Sequence, residues 1–330
     1  MRAVRLSAVD RLEIAAAPDP VPEAGEAVVR VKAAALNHRD AWIKAGQYPG
    51  VHFPCIPGSD AAGVVESVGA GVDASWIGRE VIVNPSLDWG SDSRAQASSF
   101  SILGLPRAGT LAERVAVPAG QLAAKPAHLD FGEAAALPLA GLTAWRALVT
   151  RGGFRPSDRV LISGIGGGVA TFALQFAAAQ KGDVWVTSSS KEKISRAIEF
   201  GARAGFLYTK PGWAEQAARS SGPFDLVIDS AGGPGFNDLI DLTAPGGRLV
   251  FFGATRGNAP ALALQKIFWR QLNLLGTTMG DPQDWAAMTA FVAERRIRPI
   301  VSASFALDRA AEAFALMEGG GQFGKIVVTP

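Results

Sequence analysis

The chain has 330 residues, 48% of them hydrophobic, and a formal net charge of +2 with lysines and arginines scattered rather than massed. That length allows two domains of ordinary size, and the near-neutral charge gives no reason to expect nucleic acid or a membrane surface as a partner. Cys55 is the single cysteine, which excludes an internal disulfide and a cysteine metal cage and fits a reducing cytoplasm; residues 1–6 hold no apolar signal core, and no apolar run approaches the ~18 residues of a membrane span.

Residues 1 to about 130 carry short strand-like runs at 26–33, 61–68, 80–84 and 112–118, separated by Gly, Pro and Asp. This pattern predicts a barrel-like β domain, with 36–44 as a brief helical insertion. The polar stretch 85–109 is read as a surface loop, and its path and that of 45–56 are left open by the sequence. An Ala-rich helical region runs through 133–148. At 159–170 a β-branched run meets Gly164, Gly166, Gly167 and Gly168, and helical periodicity takes over at once. Further strands at 184–187, 224–229 and 247–253 alternate with helical segments, the pattern of a doubly wound parallel sheet. Helices are expected at 262–270, 282–295 and 308–318, before a closing strand at 325–329 that has no room for another βαβ unit and must return to the first domain. The expected architecture is α/β: a discontinuous β domain, 1–130 with 272–330, and a Rossmann domain, 131–271.

A glycine turn between a strand and a helix lets a bulky anion approach the backbone, where the helix offers free N–H groups and the positive end of its dipole. If Gly164, Gly166, Gly167, Gly168 and Val169 seat a pyrophosphate, the end of the next strand lies beside the adenosine ribose. An acid about 20 residues on would favour NAD; here Ser188 stands at that distance from Gly168, followed by Ser189, Ser190, Lys191, Glu192 and Lys193. Hydroxyl donors and ammonium groups suit a 2′-phosphate, so NADP(H) is expected, with Ser188, Ser189 and Lys193 in contact. The same serines also serve as an N-cap for the following helix.

Taken together, Asn37-His38-Arg39-Asp40, Pro57-Gly58-Ser59-Asp60-Ala61-Ala62-Gly63 with Gly69 beyond, Leu137-Pro138-Leu139-Ala140-Gly141-Leu142-Thr143-Ala144, the glycine turn and Gly324-Lys325-Ile326-Val327 resemble the medium-chain dehydrogenase/reductase superfamily over essentially the whole length. The resemblance is to its zinc-free quinone oxidoreductase-like branch. It implies a GroES-like β-barrel catalytic domain built from both chain ends and a Rossmann domain between them. Zinc-dependent alcohol dehydrogenases of this superfamily carry ligands where Asn37, Ser59 and Leu139 stand, and a zinc site wants soft or imidazole donors that these three do not supply. The four-cysteine structural zinc lobe is also missing from 85–109, so no metal is expected. The glycine turn departs from the family spacing, with Val169 at its third position and Ala170 where relatives have glycine.

The resemblance further places Tyr208 near a 2′-phosphate, Thr143 on the nicotinamide side, Gly253, Ala254 and Thr255 at the nicotinamide ribose, Thr278 and Met279 nearby, and Phe323 and Lys325 over the pyrophosphate. It puts the Asn37 amide at the nicotinamide cleft as a donor to a carbonyl oxygen, with Asp40, Trp42 and Tyr48 on the same segment as candidate catalytic groups: Trp42 to stack on a flat acceptor and Tyr48 as a proton donor. It also suggests a homodimer through the apolar stretch 271–277. Without a Lewis acid to stabilise an alkoxide, the accessible chemistry is hydride delivery to an electron-poor small molecule, a quinone or an α,β-unsaturated carbonyl. The alternatives are an alcohol or aldehyde oxidoreductase and a non-catalytic NADPH-binding structural or sensor protein. No GxSxG elbow surrounds a serine, which sets hydrolysis aside.

Overall fold

A computed structural model describes residues 1–330. The chain divides into two compact units, Met1–Ala140 with Gly280–Pro330, and Gly141–Met279.

The first unit is organised on the strand Glu26–Ala35, in which eight of ten residues are buried. A strand with antiparallel neighbours on both edges and packed faces must be apolar nearly throughout, and Val28, Val29, Val31 and Ala33 to Ala35 supply that. It pairs antiparallel with Asp60–Val68, with Arg114–Pro118 and with Lys325–Thr329. Glu80–Val83 and Leu122–Ala124 extend one side, and Val301–Ala306 lies parallel to the closing strand on the other. The core joins Val29, Val65, Leu111, Phe314 and Ile326. The last strand therefore returns to the first domain, as its isolation in the sequence requires.

One helix of this unit follows its central strand in sequence and another packs on it. His38–Lys44 leaves the end of that strand, and Phe131–Ala136 starts at a capping box in which Asp130 and Glu133 exchange bonds with each other's backbone N–H. The second of them packs on the strands Glu26–Ala35 and Asp60–Val68, so residues 131–140 belong to the β unit rather than to the Rossmann unit expected for them. The stretch 85–109 is not wholly irregular: Ser86–Leu87 pairs with Ser101–Ile102, and buried Trp89 packs edge-on against Phe100 at 5.3 Å.

The second unit is a six-stranded sheet in the order Ala204–Leu207, Asp183–Ser188, Arg159–Ile162, Phe224–Asp229, Thr243–Phe251, Asn273–Gly276. Every pairing is parallel. Strand order reverses between Arg159–Ile162 and Phe224–Asp229, and a ligand of such a sheet binds at that switch point, beyond the carboxyl ends of the strands. Leu161, Phe224, Val227 and Leu249 fill the core, and Trp185 stacks on Phe206 with centroids 5.5 Å apart. Asn273–Gly276 completes this sheet, so residues 272–279 also change sides relative to the sequence expectation. No helix is long and apolar enough to cross a membrane.

Candidate cofactor and acceptor sites

In the second unit the turn after Arg159–Ile162 is held from below. Gly164 N–H donates to Thr187 Oγ1 at 3.0 Å, Ile165 N–H donates to Thr187 O at 2.7 Å, and Ser163 Oγ donates to Asp229 Oδ1. Asp229 Oδ2 accepts from Gly232 N–H at 2.8 Å. The helix Gly168–Ala179 then starts at Gly167 with no side-chain cap, so the first-turn N–H groups are left for a ligand. A Cβ added at Gly164 or Gly167 would meet nothing within 4 Å. Gly164 needs glycine for its backbone angle, φ +66°; at Gly167 the missing side chain leaves bare backbone facing open space.

Beside this turn lies a cavity of about 310 Å³ whose walls include Gly164, Thr187, Tyr208, Trp213 and Arg256. Arg256 stacks over Tyr208 with its guanidinium carbon 5.4 Å from the ring centroid. The motifs of the sequence do not mark Arg256, although it directly follows Gly253, Ala254 and Thr255. The structure draws that segment against the neighbouring loop, with Thr255 N–H on Ser230 O at 3.4 Å and Arg256 N–H on Ala231 O at 2.9 Å. A Cβ at Gly253 would lie 2.8 Å from Ser230 O, so close backbone approach explains this glycine.

The serines after Asp183–Ser188 play unequal parts. Ser188 is buried and its Oγ accepts from Ser190 N–H at 3.1 Å. Ser190 caps Lys191–Glu199, accepting from Lys193 N–H at 3.2 Å and donating its own proton to Glu192 at 2.6 Å. That proton is therefore spent on a carboxylate. Ser189 is exposed, and Lys193 is half-buried, with burial lowering its ammonium from the ordinary lysine range. Thr143 and Met279 are brought together, Oγ1 donating to Sδ at 3.8 Å; Met279 is buried at φ +41°, and Thr278 beside it is half-buried.

In the first unit the three positions that would carry zinc ligands lie around one carboxylate. Asp60 Oδ1 accepts from Leu139 N–H at 2.8 Å, and Oδ2 accepts from Asn37 Nδ2 and from Lys325 Nζ, both at 2.9 Å. Lys325 Nζ also donates to Asn37 Oδ1 at 2.6 Å and Leu36 O at 2.7 Å. Lys325 is 3% exposed and Asp60 0%. All three ammonium protons are thus used, which corrects the expectation that Lys325 binds cofactor. Phe323, 1% exposed with its N–H on Ser302 Oγ, is likewise enclosed by protein and does not present its ring to a ligand.

Asp40 is fully buried, accepting Asn37 N–H at 2.8 Å and Gly58 N–H at 3.2 Å. Burial pushes its carboxyl above the usual carboxylate range, against the opposing pull of Arg39. Its oxygens are given to the backbone, so it holds the start of His38–Lys44 and the Gly58 turn, and the structure does not support it as a group meeting substrate. Trp42 is half-buried, edge-on to His38 at 5.0 Å, and Tyr48 packs with Leu6, Ile43 and Leu105 beneath the guanidinium of Arg39. Arg39, which belongs to the Asn37-His38-Arg39-Asp40 motif but draws no role from it, donates from Nη1 to Ser59 Oγ at 2.7 Å.

A six-stranded parallel sheet with an uncapped glycine-loop helix, joined to a β unit that both chain ends build, defines a dinucleotide-binding oxidoreductase. The family described as alcohol dehydrogenase GroES-like domain matches residues 23–127, and that described as zinc-binding dehydrogenase matches 168–294. A zinc-type alcohol dehydrogenase-like protein of Leptosphaeria maculans is 33% identical over 96% of this chain and 94% of its own. An acryloyl-coenzyme A reductase of Sulfurisphaera tokodaii is 27% identical over 95% of each chain. A crystal structure of an NAD-dependent alcohol dehydrogenase superposes with TM-score 0.94 at 39% identity, covering 100% of both chains. The protein belongs to the medium-chain dehydrogenase/reductase superfamily, whose members use a nicotinamide cofactor.

The dinucleotide fits the second unit, where uncapped N–H groups and the cavity receive it. Zinc does not fit the first unit. The Asn37 amide oxygen is taken by Lys325, the Ser59 hydroxyl accepts from Arg39, Leu139 offers no side-chain donor, and no group of three His, Cys, Asp or Glu side chains is placed to hold a metal ion. The buried pair itself can be probed. Replacing Lys325 by Met leaves the Asp60 carboxylate buried without its cation and should cost roughly 3–5 kcal/mol of unfolding free energy. Chemical denaturation should record that loss, and fluorescence titration should show NADPH affinity unchanged in the folded fraction.

Proposed function

We propose that the protein is a zinc-independent, NADPH-dependent oxidoreductase that delivers hydride to a small quinone or α,β-unsaturated carbonyl. The observation that carries this reading is the Asp60–Asn37–Lys325 cluster, which fills with a neutralised ion pair the place where the superfamily's alcohol dehydrogenases would set a metal. An alkoxide has no Lewis acid there to stabilise it, so an acceptor that is already electron-poor is the easier partner. When bound, the reduced nicotinamide supplies the hydride.

The chain's own residues bind, orient and enclose. The first turn of Gly168–Ala179, with Val169 in it, receives the pyrophosphate, and Gly164 and Gly167 leave open space for it. Tyr208 and Arg256 line the cavity, with Asp229 and Asp238 also in its wall; with Ser189 and Lys193 from the turn after Asp183–Ser188 they are assigned to the adenosine end, where the two cations favour a 2′-phosphate. The NAD-dependent relative and the Glu192 carboxylate beside Ser190 favour NAD, which makes cofactor choice a direct test. Thr143, Thr278 and Met279 lie toward the nicotinamide. Asn37 keeps one amide proton beyond its bond to Asp60, Trp42 offers a flat wall, and Tyr48 offers a hydroxyl for proton transfer. A single half-buried cysteine suits a reducing cytoplasm.

The sheet edge Asn273–Gly276 directly follows the helix Leu264–Trp269, whose Leu264, Phe268 and Trp269 are 67%, 65% and 82% exposed. An open edge beside exposed apolar side chains fits a second copy of the chain. Trp269→Glu should convert a dimer to monomer in sedimentation velocity, and a wild-type protein that sediments as a monomer would remove this part of the reading.

For cofactor choice, a double change Lys193→Ala with Arg256→Ala should weaken NADPH binding by about tenfold or more, the value of a charge-assisted contact, and leave NADH within twofold. Equal dissociation constants of the wild-type protein for the two cofactors would defeat the 2′-phosphate assignment. For the reaction, NADPH consumption with a quinone, an enone and an aldehyde, each with and without chelator, should show turnover on the first two that survives chelation. Loss on chelation would sink the metal-free reading. Turnover confined to the aldehyde would favour the alcohol dehydrogenase alternative, and tight NADPH binding without turnover a non-catalytic binder.

A further inference from the structure

One buried cation of the first unit has no part in the chemistry above. Arg39 lies on His38–Lys44 and is 6% exposed. Its Nη1 donates to Ser59 Oγ at 2.7 Å and to Leu103 O at 2.8 Å, and its guanidinium carbon sits 4.7 Å from the centroid of the Tyr48 ring. Its Nε and Nη2 are buried and have no hydrogen-bond partner.

These two groups share one edge. In a planar guanidinium Nε–H and Nη2–H point the same way, forming the two-pronged edge that grips a negatively charged oxygen or a carboxylate. A buried donor left unmet is destabilising, and more so on a charged group, so two on one arginine are not what packing alone would keep. The plane is fixed by Nη1 on two acceptors and by Tyr48 beneath it. The neighbouring carboxylates cannot turn to meet the free edge. Both oxygens of Asp60 are occupied by Asn37, Leu139 and Lys325, and both of Asp40 by the N–H groups of Asn37 and Gly58.

We propose that the Nε–H and Nη2–H edge of Arg39 binds the carbonyl oxygen of the acceptor and holds the negative charge that develops there, making Arg39 a catalytic residue. This rests on the reductase reading above. In an enone, hydride from the reduced nicotinamide bonds to the β-carbon, the carbon–carbon π pair shifts toward the carbonyl, and the C=O π pair becomes the enolate oxyanion held by Arg39. A proton from the Tyr48 hydroxyl, replaced from water, then bonds to the α-carbon, the carbonyl re-forms, and the nicotinamide is left oxidised. Charge fixed in place before the reaction acts on the transition state more than on the ground state, so the rate constant should respond more than binding.

The test uses the full-length protein and Arg39→Met. With saturating NADPH and an unsaturated ketone that carries no carboxylate, kcat should fall by about a hundredfold or more, the usual cost of an oxyanion donor, while KM and the NADPH dissociation constant stay within about threefold. Arg39→Lys keeps the charge but not the two-pronged edge and should recover only part of the rate; it also serves if the Met variant does not fold. A readout without turnover is the visible absorption shift of 4-nitrophenolate, a flat oxyanion, added to protein loaded with NADP⁺. The wild type should bind it at least tenfold more tightly than Arg39→Met.

Arg39-dependent nitrophenolate binding in a protein that turns over no acceptor would uphold the oxyanion site and defeat the reductase reading. Turnover that both variants retain, with nitrophenolate binding unchanged, would overturn the inference and leave that reading standing, the edge then being met by water. Dependence on Arg39 confined to acceptors bearing a carboxylate would also overturn it, since the edge would then anchor that group instead of the reacting oxygen.

Discussion

The ion pair between Lys325 and Asp60 governs the β unit. Two charges removed from water cost several kcal/mol each, and their attraction offsets that only where the remaining protons and lone pairs are also met. Here they are. The ammonium gives its three protons to Leu36 O, Asn37 Oδ1 and Asp60, and the carboxylate takes Asn37 Nδ2 and Leu139 N–H besides. Since the pair spans 265 residues of sequence, it can form only when the last strand is seated beside Glu26–Ala35. The approach is tight: Gly324 has φ +101°, and a Cβ there would stand 2.2 Å from Ile300 O. Glycine at that point admits the strand that carries the lysine.

The two units meet the problem of binding anions and oxyanions differently. In the Rossmann unit the positive potential comes from backbone alone, at the start of Gly168–Ala179, and side chains are kept away so that a large anion can come close. The side chains of Tyr208, Trp213 and Arg256 line the cavity beside that turn. In the β unit the cations are side chains, deeply buried, and most of their hydrogen-bonding capacity is spent within the protein. Lys325 is neutralised by contact. Arg39 retains one edge.

Much of the fold was legible in the sequence, because its signals are local. The glycine turn, the strands at 159–162 and 224–229 and the isolated closing strand each announce themselves over a dozen residues, and the structure places them as expected. What went unread depends on residues far apart. Asp40 reads as a catalytic carboxylate beside Asn37 until its two oxygens are found on backbone N–H groups, one of them at Gly58. Lys325, in a glycine-lysine motif, reads as a phosphate ligand until Asp60 and Asn37 are found around it. Arg256 follows three residues assigned to the cofactor, yet nothing in the sequence shows it folding back over Tyr208. The displaced domain boundaries have the same origin, since 131–140 and 272–279 are assigned by what they pack against and not by composition.

Charge counting around Asn37 shows why directed N–H groups matter more here than net field. Lys325 and Arg39 are positive, Asp60 and Asp40 negative, so with both acids ionised the cluster sums to zero. Asp60 meets three donors, Leu139 N–H, Asn37 Nδ2 and Lys325 Nζ. Burial pushes the Asp40 carboxyl above the usual carboxylate range, against the opposing pull of Arg39, the Asn37 N–H and Lys325. The Lys325 charge is matched by Asp60 at 2.9 Å, whereas the Arg39 guanidinium is hydrogen-bonded only to Ser59 Oγ and Leu103 O. The buried groups thus form a fixed frame in which the one hydrogen-bonding edge left unmet by protein belongs to Arg39.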